Sequence, residues 1–473
     1  MAGGLFSALN AARTSLEVNQ KSIEIVGNNI SNVNTEGYSR QSAELSTYPA
    51  LNFGDFFVGQ GVKVANVKRD HDIFVTNQLR DKVVDFGVNS GQAQSLSELE
   101  RVFNISEENI ATDVDRFFDS WQELTASPSD LVLRDIVVQR GELLSTNFNN
   151  TINDLNTVKE NINDTIISKI SNINSQIEEI ASLNESIFNI EVKGQMANTA
   201  RDKRDSLAKE LATTLGAVSY EDSKGMLAVQ LPGGLPLVQG NEPMSLEAVT
   251  SGASLNIELQ AGGATRTIGL NNLGGEFEGL VDMREQFIPD LHNDLDRLAY
   301  EISTQVNKQH AFGTGLDGST GNPFFSGPVA PATTPPTPPA PADYADAARN
   351  MSVVITDSNQ VAAGMSSSPG DNRNALTISN IGEEYLIDDS DNFNSYYGKM
   401  TSRVGIRTNQ NQLNLEGNQD AVNQLENLRE GLSGVSLEEE MIDLIVYQRG
   451  FESSAKFLST VDELMTTLIN IRR

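Results

Sequence analysis

The two ends of this 473-residue chain are written as matching amphipathic helices. Near the N-terminus Leu5, Leu9, Ala12, Leu16, Asn19, Ile23, Val26, Ile30 and Val33 alternate steps of four and three residues. That spacing keeps one seam turned toward a partner helix. Near the C-terminus Leu437, Met441, Leu444, Phe451, Ala455, Leu458, Met465 and Ile469 follow the same repeat, interrupted by Gln448 and Asp462. Seams at both extremities, with a differently textured middle, predict that the termini meet. The plainer alternative is two ordinary core helices of a globular bundle.

The first helix, read over residues 5–33, runs into Asn28, Asn29, Ser31, Asn32, Asn34 and Thr35, with Gly37 as its stop. Residues 38–75 alternate like short strands, punctuated by Gly54, Gly59 and Gly61. Residues 130–193 carry a long stripe, Ile162, Ile166, Ile170, Ile173, Ile177, Ile180 and Ile187, at helical spacing. A charged helix over 201–215 stops at Gly216. Two hairpins are predicted at 226–240 and 254–270, each with a Gly-rich turn. Helical periodicity returns over 276–311. The segment 327–342 is proline-rich and reads as an extended loop. The strings at 352–356 and 375–379 read as short strands, and 403–432 as a polar helix broken at Ser433-Gly434.

The fold class that follows is mainly α with an inserted β domain. It is an elongated multidomain chain whose terminal helices pair as a coiled coil around a central long-helix bundle. The expected domains are a terminal helical domain (1–50 and 434–473) and an irregular or β connector (51–95). A helical bundle (96–218, 276–312 and 403–433) and an outer β-rich domain (219–275 and 313–402) with the proline-rich loop complete the division.

Composition narrows the function classes. Against 34 Lys and Arg stand 64 Asp and Glu, a net charge of −30. Such a surface repels nucleic-acid phosphates and anionic membranes alike. No apolar run approaches the roughly eighteen residues of a membrane span. The opening MAGGLFSALNAARTSLEV lacks a charged n-region and a continuous apolar stretch, so no cleaved Sec-type signal is expected. Cysteine is absent, which removes disulfides, thiolate metal sites and cysteine nucleophiles together.

Catalytic patterns fail on context. Gly313 to Gly318, GTGLDG, matches a dinucleotide string but follows a helix instead of a strand. His71, His292 and His310 have no metal-ligand spacing. Acidic pairs such as Glu438-Glu439-Glu440 are expected as solvated faces and helix N-terminal charges. Neither enzyme activity, a metal nor a cofactor is expected.

The string Asn28, Asn29, Ile30, Ser31, Asn32, Val33, Asn34, Thr35, Glu36, Gly37, Tyr38, Ser39, Arg40, Gln41 is more specific. It resembles the N-terminal signature of the bacterial flagellar rod, hook and hook-associated axial proteins. Its continuation Gly37-Tyr38-Ser39-Arg40-Gln41 is similar to the hook-associated protein 1 branch. Residues 434–471, with Tyr447-Gln448 and Asp462-Glu463, resemble the closing helix of the same family. Residues 197–220, 307–325 and 370–381 are similar to internal blocks of that branch, the second of them giving GTGLDG a structural explanation. Gly450-Phe451 stands where Ala-Tyr is commoner, and the proline-rich segment has no counterpart.

The resemblance implies a structural protein that joins hook to filament as a homo-oligomeric ring. Its implied partners are the hook protein, a second junction protein leading to the filament, and a cytoplasmic export chaperone on the C-terminal helix. Its implied place is extracellular, in the flagellum, reached by type III export. On this reading the subunit and coiled-coil interface comprises Leu5, Leu9, Leu16, Ile23, Val26, Ile30 and Val33 with Leu437, Met441, Leu444, Phe451, Leu458, Met465 and Ile469. Two alternatives stand beside it: a flagellar hook or rod subunit, and an extracellular enzyme carried on flagellar-type termini. A soluble coiled-coil adaptor is a third.

Overall fold

The computed structural model describes residues 2–52, 57–103, 109–251, 254–326, 340–388 and 390–471. The chain opens with α1 (Ala2–Ser31) and the strands β1 (Gln41–Thr47), β2 (Leu51–Asn52), β3 (Phe57–Val58) and β4 (Val62–Arg69). Helices α2 (Ile73–Val102), α3 (Ile110–Ala126), α4 (Leu131–Glu191) and α5 (Asn198–Leu215) follow. Seven short strands come next: β5 (Val218–Glu221), β6 (Leu227–Gln230), β7 (Pro236–Gln239), β8 (Glu242–Pro243), β9 (Ser245–Ser251), β10 (Ser254–Ala261) and β11 (Ala264–Ile268). The rest is helical: α6 (Gly275–Asp282), a π turn (Met283–Phe287), α7 (Ile288–Phe312), α8 (Pro341–Tyr344), α9 (Ala347–Asn350), α10 (Arg373–Ile381), α11 (Phe393–Ser433) and α12 (Leu437–Ile471). The fold is 66% helical with a small β component, a mainly α class.

The chain divides into two compact units. The first comprises Met1–Gly87, Lys169–Glu276 and Glu416–Arg473, and so brings both termini together. The second comprises Val88–Ser168 and Phe277–Leu415.

In the first unit the asparagines of α4 have a definite task. Asn184 lies buried and acts as a surrogate strand residue. Its Nδ2 donates to the carbonyls of Leu227 (2.8 Å) and Gly240 (2.6 Å), and its Oδ1 accepts from the Leu227 amide at 2.9 Å. Asn174 treats Leu246 the same way, donating to its carbonyl and accepting from its amide, both at 2.8 Å. An amide side chain mimics a peptide group, so a helix can saturate sheet atoms that would otherwise be buried unpaired. The docked sheets are antiparallel, one in the order β5-β6-β7-β8 and one in the order β11-β10-β9. Both predicted hairpins are present as β6–β7 and β10–β11. Gly216 ends α5 in the left-handed region (φ 67°), and a Cβ there would sit 2.6 Å from the Cα of Gly274. Only glycine satisfies both demands.

The second unit is centred on an aromatic cluster of Phe117, Trp121, Phe324 and Phe325, each fully buried. The α4 stripe supplies Leu155, Ile162 and Ile166 to its apolar core.

Three expectations are corrected. Residues 73–95 belong to helix α2, not to an irregular connector. Asp72 caps it by accepting from the amides of Phe74 (2.8 Å) and Val75 (3.1 Å), and Val75, Leu79 and Val83 bury at four-residue steps. Residues 375–379 lie in α10, because Ala375, Ile378 and Ile381 recur at helical intervals on its buried side. The 352–356 segment forms only an isolated bridge from Val353 to Phe325. The described part of 313–402 is therefore bridges, short helices and the start of the long helix α11, not a β-rich domain. An alternation of β-branched residues over five positions is too short to distinguish strand from helix. Most of the proline-rich loop, 327–339, lies outside the described residues; Pro341 opens α8.

Candidate functional site: the terminal helix pair

Helices α1 and α12 pack against each other in antiparallel fashion, with one register along their length. Asn29 Nδ2 donates to Glu440 Oε2 at 3.0 Å, a Cβ on Gly450 would meet Asn19 Oδ1 at 2.5 Å, and Ser15 Oγ lies 2.9 Å from Ser454 Oγ. Each step down α1 is matched by an equal step up α12.

The contact line differs from the apolar seam read off the sequence. On α1 it passes through Leu5, Ala8, Ala12, Ser15, Asn19, Ser22, Val26 and Asn29, of which Ala12, Ser22, Val26 and Asn29 are fully buried. On α12 it passes through Glu440, Leu444, Tyr447, Phe451, Ser454, Leu458, Val461 and Met465, with Glu440, Ser454 and Val461 buried. Both lines keep the four-three alternation. Four of the nine expected N-terminal positions and four of the eight C-terminal ones lie on it: Leu5, Ala12, Asn19 and Val26, and Leu444, Phe451, Leu458 and Met465. At Leu9, Leu16, Ile23, Ile30, Met441 and Ala455 the line is displaced by one residue, to Ala8, Ser15, Ser22, Asn29, Glu440 and Ser454, so small or polar side chains occupy places assigned mostly to large apolar ones. Leu9, Leu16, Ile23, Ile30 and Val33 are only partly covered, and Leu437 and Met441 are exposed. The side chain of Ile469 lies outside the described residues. Gln448 and Asp462, which interrupt the expected seam, are exposed because they never belonged to the contact.

The cause of the displacement sits at the root of the pair. Glu440, inaccessible to solvent, accepts from Arg40 Nε at 2.6 Å and from Asn29. Arg40 also reaches Asp443 (3.1 Å) and Asp70 (3.9 Å). The hydrogen bond that Arg40 donates to Glu440 holds the Arg40 pKa above its ordinary value, against the cost of burial. Paired in this way, a carboxylate can occupy a seam position that hydrophobicity alone would deny it.

The signature residues wrap this pair. Asn29 Nδ2 donates to the Gln41 carbonyl (2.9 Å) and its Oδ1 accepts from the Gln41 amide (3.0 Å), so the helix end starts strand β1. The Tyr38 hydroxyl donates to Asn29 Oδ1 at 2.9 Å, and burial, then Asp202 and Glu440, push its pKa up to about 12. Asn32 Nδ2 donates to the Asn28 carbonyl (2.9 Å) and Thr35 Oγ1 to Asn32 Oδ1 (3.3 Å), folding back the helix end. Gly37 adopts φ 80°, the left-handed geometry that turns the chain out of α1. Asn34 is exposed. Ser39 donates to Asp202 through its hydroxyl (2.8 Å) and its amide (3.2 Å). Arg69 grips Asp202 and Asp205 at 2.8 Å each. Burial opposes the Arg69 charge, yet Asp205 and Asp202 together raise its pKa. Finally, Arg40 N–H donates to the Ser433 carbonyl at 2.8 Å, stitching the loop to the end of α11.

Sequence reasoning missed Glu440, Asp443, Arg69, Asp202 and Asp205. One available signal was Glu440, Tyr447, Ser454 and Val461 at seven-residue steps, a repeat hidden because its first member is charged.

The other stations of the signature fold as structure. Asn307, buried in the second unit, brackets the turn at Phe324-Phe325: its Oδ1 accepts both amides (2.9 and 2.7 Å) and its Nδ2 donates to the Phe325 carbonyl at 2.9 Å. The GTGLDG string forms a turn in which the Gly315 amide donates to the Ser319 carbonyl at 2.9 Å. Among the described residues no group of three His, Asp or Glu side chains is placed to hold a metal ion, and no helix is long and apolar enough to cross a membrane.

Comparison with known proteins agrees with this geometry. Residues 96–325 match the model of the flagellar hook-associated protein FlgK helical domain. Residues 6–38 match that of the flagella basal body rod protein, and 432–471 that of the flagellar basal body rod FlgEFG protein C-terminal region. The chain is 27% identical to flagellar hook-associated protein 1 of Escherichia coli K12, over 98% of this chain and 100% of that one. It is 26% identical to the Bacillus subtilis 168 protein of the same name, over 98% of each. The structure of the flagellar hook junction protein FlgK from Burkholderia pseudomallei shares the fold, with a TM-score of 0.67 and 17% identity over 76% of this chain and all of that one. With helical-domain and both terminal models matched in chain order, and full-length relatives of one name, the resemblance to the flagellar hook-associated protein 1 family extends along nearly the whole chain.

Proposed function

We propose that this protein is a structural component of the bacterial flagellum that joins hook to filament and is required for the filament to assemble. The observation that carries the reading is the division of labour on the terminal helices. Their mutual contact sets Ala8, Ala12, Ser15, Asn19, Ser22 and Asn29 of α1 against a line on α12 that begins at one paired glutamate, Glu440, and continues through Leu444, Phe451 and Leu458. A second row of large apolar side chains on α12 lies outside it, with Met441 58%, Ile442 62%, Ile445 49% and Val446 56% exposed. A row of this kind costs free energy in water, at about 25 cal/mol per Å², until a neighbour covers it. In this reading residues 1–50 and 434–473 act together as the assembly domain. Leu9, Leu16, Ile23 and Ile30 on α1, with Leu437 and Met441 on α12, are covered by neighbouring subunits.

The partners that follow are further copies of the chain in a ring, the hook protein on one side, and a second junction protein leading to the filament on the other. Before assembly a cytoplasmic chaperone would shield the α12 row during export. The role is mechanical and calls for no catalysis. Deleting the gene should leave hooks without filaments and shed filament subunits into the medium. Normal filaments on the deletion strain would refute the proposal.

A further inference from the structure

The α1–α12 contact poses a problem of register. Ala8, Ala12, Ser15 and Ser22 on one side and Gly450 and Ser454 on the other allow close approach. The large apolar members of the α12 line, Leu444, Phe451, Leu458 and Met465, recur at seven-residue steps, so a shift of one heptad exchanges apolar for apolar. A slip of one heptad would set Ala12 against Gly450 and Ala8 against Ser454, so small would still meet small. Apolar packing therefore discriminates poorly between registers. In coiled coils a single buried polar residue supplies that discrimination, at some cost in stability.

We infer that Asn29, Arg40 and Glu440 form a register lock that sets the axial alignment of α12 on α1. Only in the observed alignment does the buried Glu440 carboxylate reach both Arg40 Nε (2.6 Å) and Asn29 Nδ2 (3.0 Å). The slip just described carries Glu440 to Ser22, which offers no cation; the opposite slip carries it past the end of α1. Arg40 cannot follow, because its amide donates to the Ser433 carbonyl and its own carbonyl accepts from the Asp70 amide, each at 2.8 Å. Asn29 is pinned by its two bonds to the Gln41 backbone. The lock is thus held by the loop and strand β1 while its third member comes from α12. It deepens the junction reading by naming what presents the α12 row at a defined height to neighbours.

The chain has no cysteine, so disulfide trapping reads register directly in the full-length protein. Ser15→Cys is combined in separate proteins with Ser454→Cys, Tyr447→Cys or Val461→Cys, the in-register partner and its neighbours one heptad away. With the lock intact the 15–454 bridge should form at least about tenfold faster than either alternative. In Asn29→Leu/Glu440→Leu the preference should fall to within about twofold. Glu440→Gln, which keeps an acceptor for Arg40, should retain it. Exclusive 15–454 bridging in the leucine variant would show that register is set elsewhere. No bridging at any pair in that variant would show that the cluster merely holds the helices together, and would equally overturn the inference. Neither result touches the junction role, which filament growth reads separately.

Discussion

Acid should loosen the second unit through His310. Both ring nitrogens are committed in the neutral form: Nδ1–H donates to the Asn322 carbonyl at 2.7 Å, and Nε2 accepts from the Ala362 amide at 2.9 Å. A proton on Nε2 would oppose a donor to a donor in a site fully shielded from water. Burial first, with the nearby Arg134 guanidinium adding to it, lowers the pKa to about 4 from the ordinary 6.5. Because the folded pKa is the lower one, the unfolded chain binds the proton first as pH falls. The stabilisation is complete above pH 6.5 and is lost progressively between 6.5 and 4. At about 1.36 kcal/mol per unit, the loss between pH 7 and pH 4.5 comes to about 2 kcal/mol. Asp296 and Glu301, whose pKa values burial raises, act in the opposite direction and are common to wild type and variant. The lone tryptophan, Trp121, is buried with its ring 6.0 Å from the imidazole and reports unfolding of this unit. Urea titrations at the two pH values, followed by tryptophan emission, should show wild type losing about 2 kcal/mol more than His310→Gln. Equal pH dependence in the two proteins would refute the reasoning.

Other substitutions probe other parts of the account. Arg40→Met leaves the Glu440 carboxylate buried against one amide, and should cost the first unit about 3 kcal/mol in a denaturant titration; a change under about 1 would contradict the pairing. Asn184→Leu strips partners from Leu227, Gly240 and Arg204 and should lower stability by about 3 kcal/mol or more, with amide exchange in β6 rising first; unchanged protection there would count against the docking role. Leu444→Glu with Leu458→Glu puts two carboxylates into the α1–α12 contact without pairing partners. It should abolish filament growth from junction-depleted hooks while the tryptophan-monitored transition stays put, and normal growth would show that this contact does not hold the junction.

Much of this architecture is legible because long periodic segments constrain themselves. The terminal helices, the helix over 130–193 and both hairpins follow from spacing and turn glycines alone. The seam was misjudged by one residue at alternate positions for a physical reason: hydrophobicity assigns Met441 to the interior over Glu440, and only tertiary pairing with Arg40 reverses that order. The same holds for Asn184 and Asn174, whose roles require strands that arrive some forty or more residues later in the chain. The segment 375–379 shows the complementary failure, since five residues of mixed β-branched character carry too little period to outweigh the packing of Ile378 and Ile381. The family signature was readable as a string, whereas the carboxylates that answer it, Asp202 and Glu440, lie far from it in sequence.

The central claim is that the uncovered apolar row of α12 is an assembly surface. Met441→Glu with Ile445→Glu tests it most directly, because both side chains are about half or more exposed in the protomer, at 58% and 49%. Surface changes of this kind typically shift stability by about 0.5 kcal/mol or less. The double variant should therefore melt like wild type, yet fail to support filament growth when added to hooks lacking the junction. Filaments of normal number and length from this variant would contradict the account.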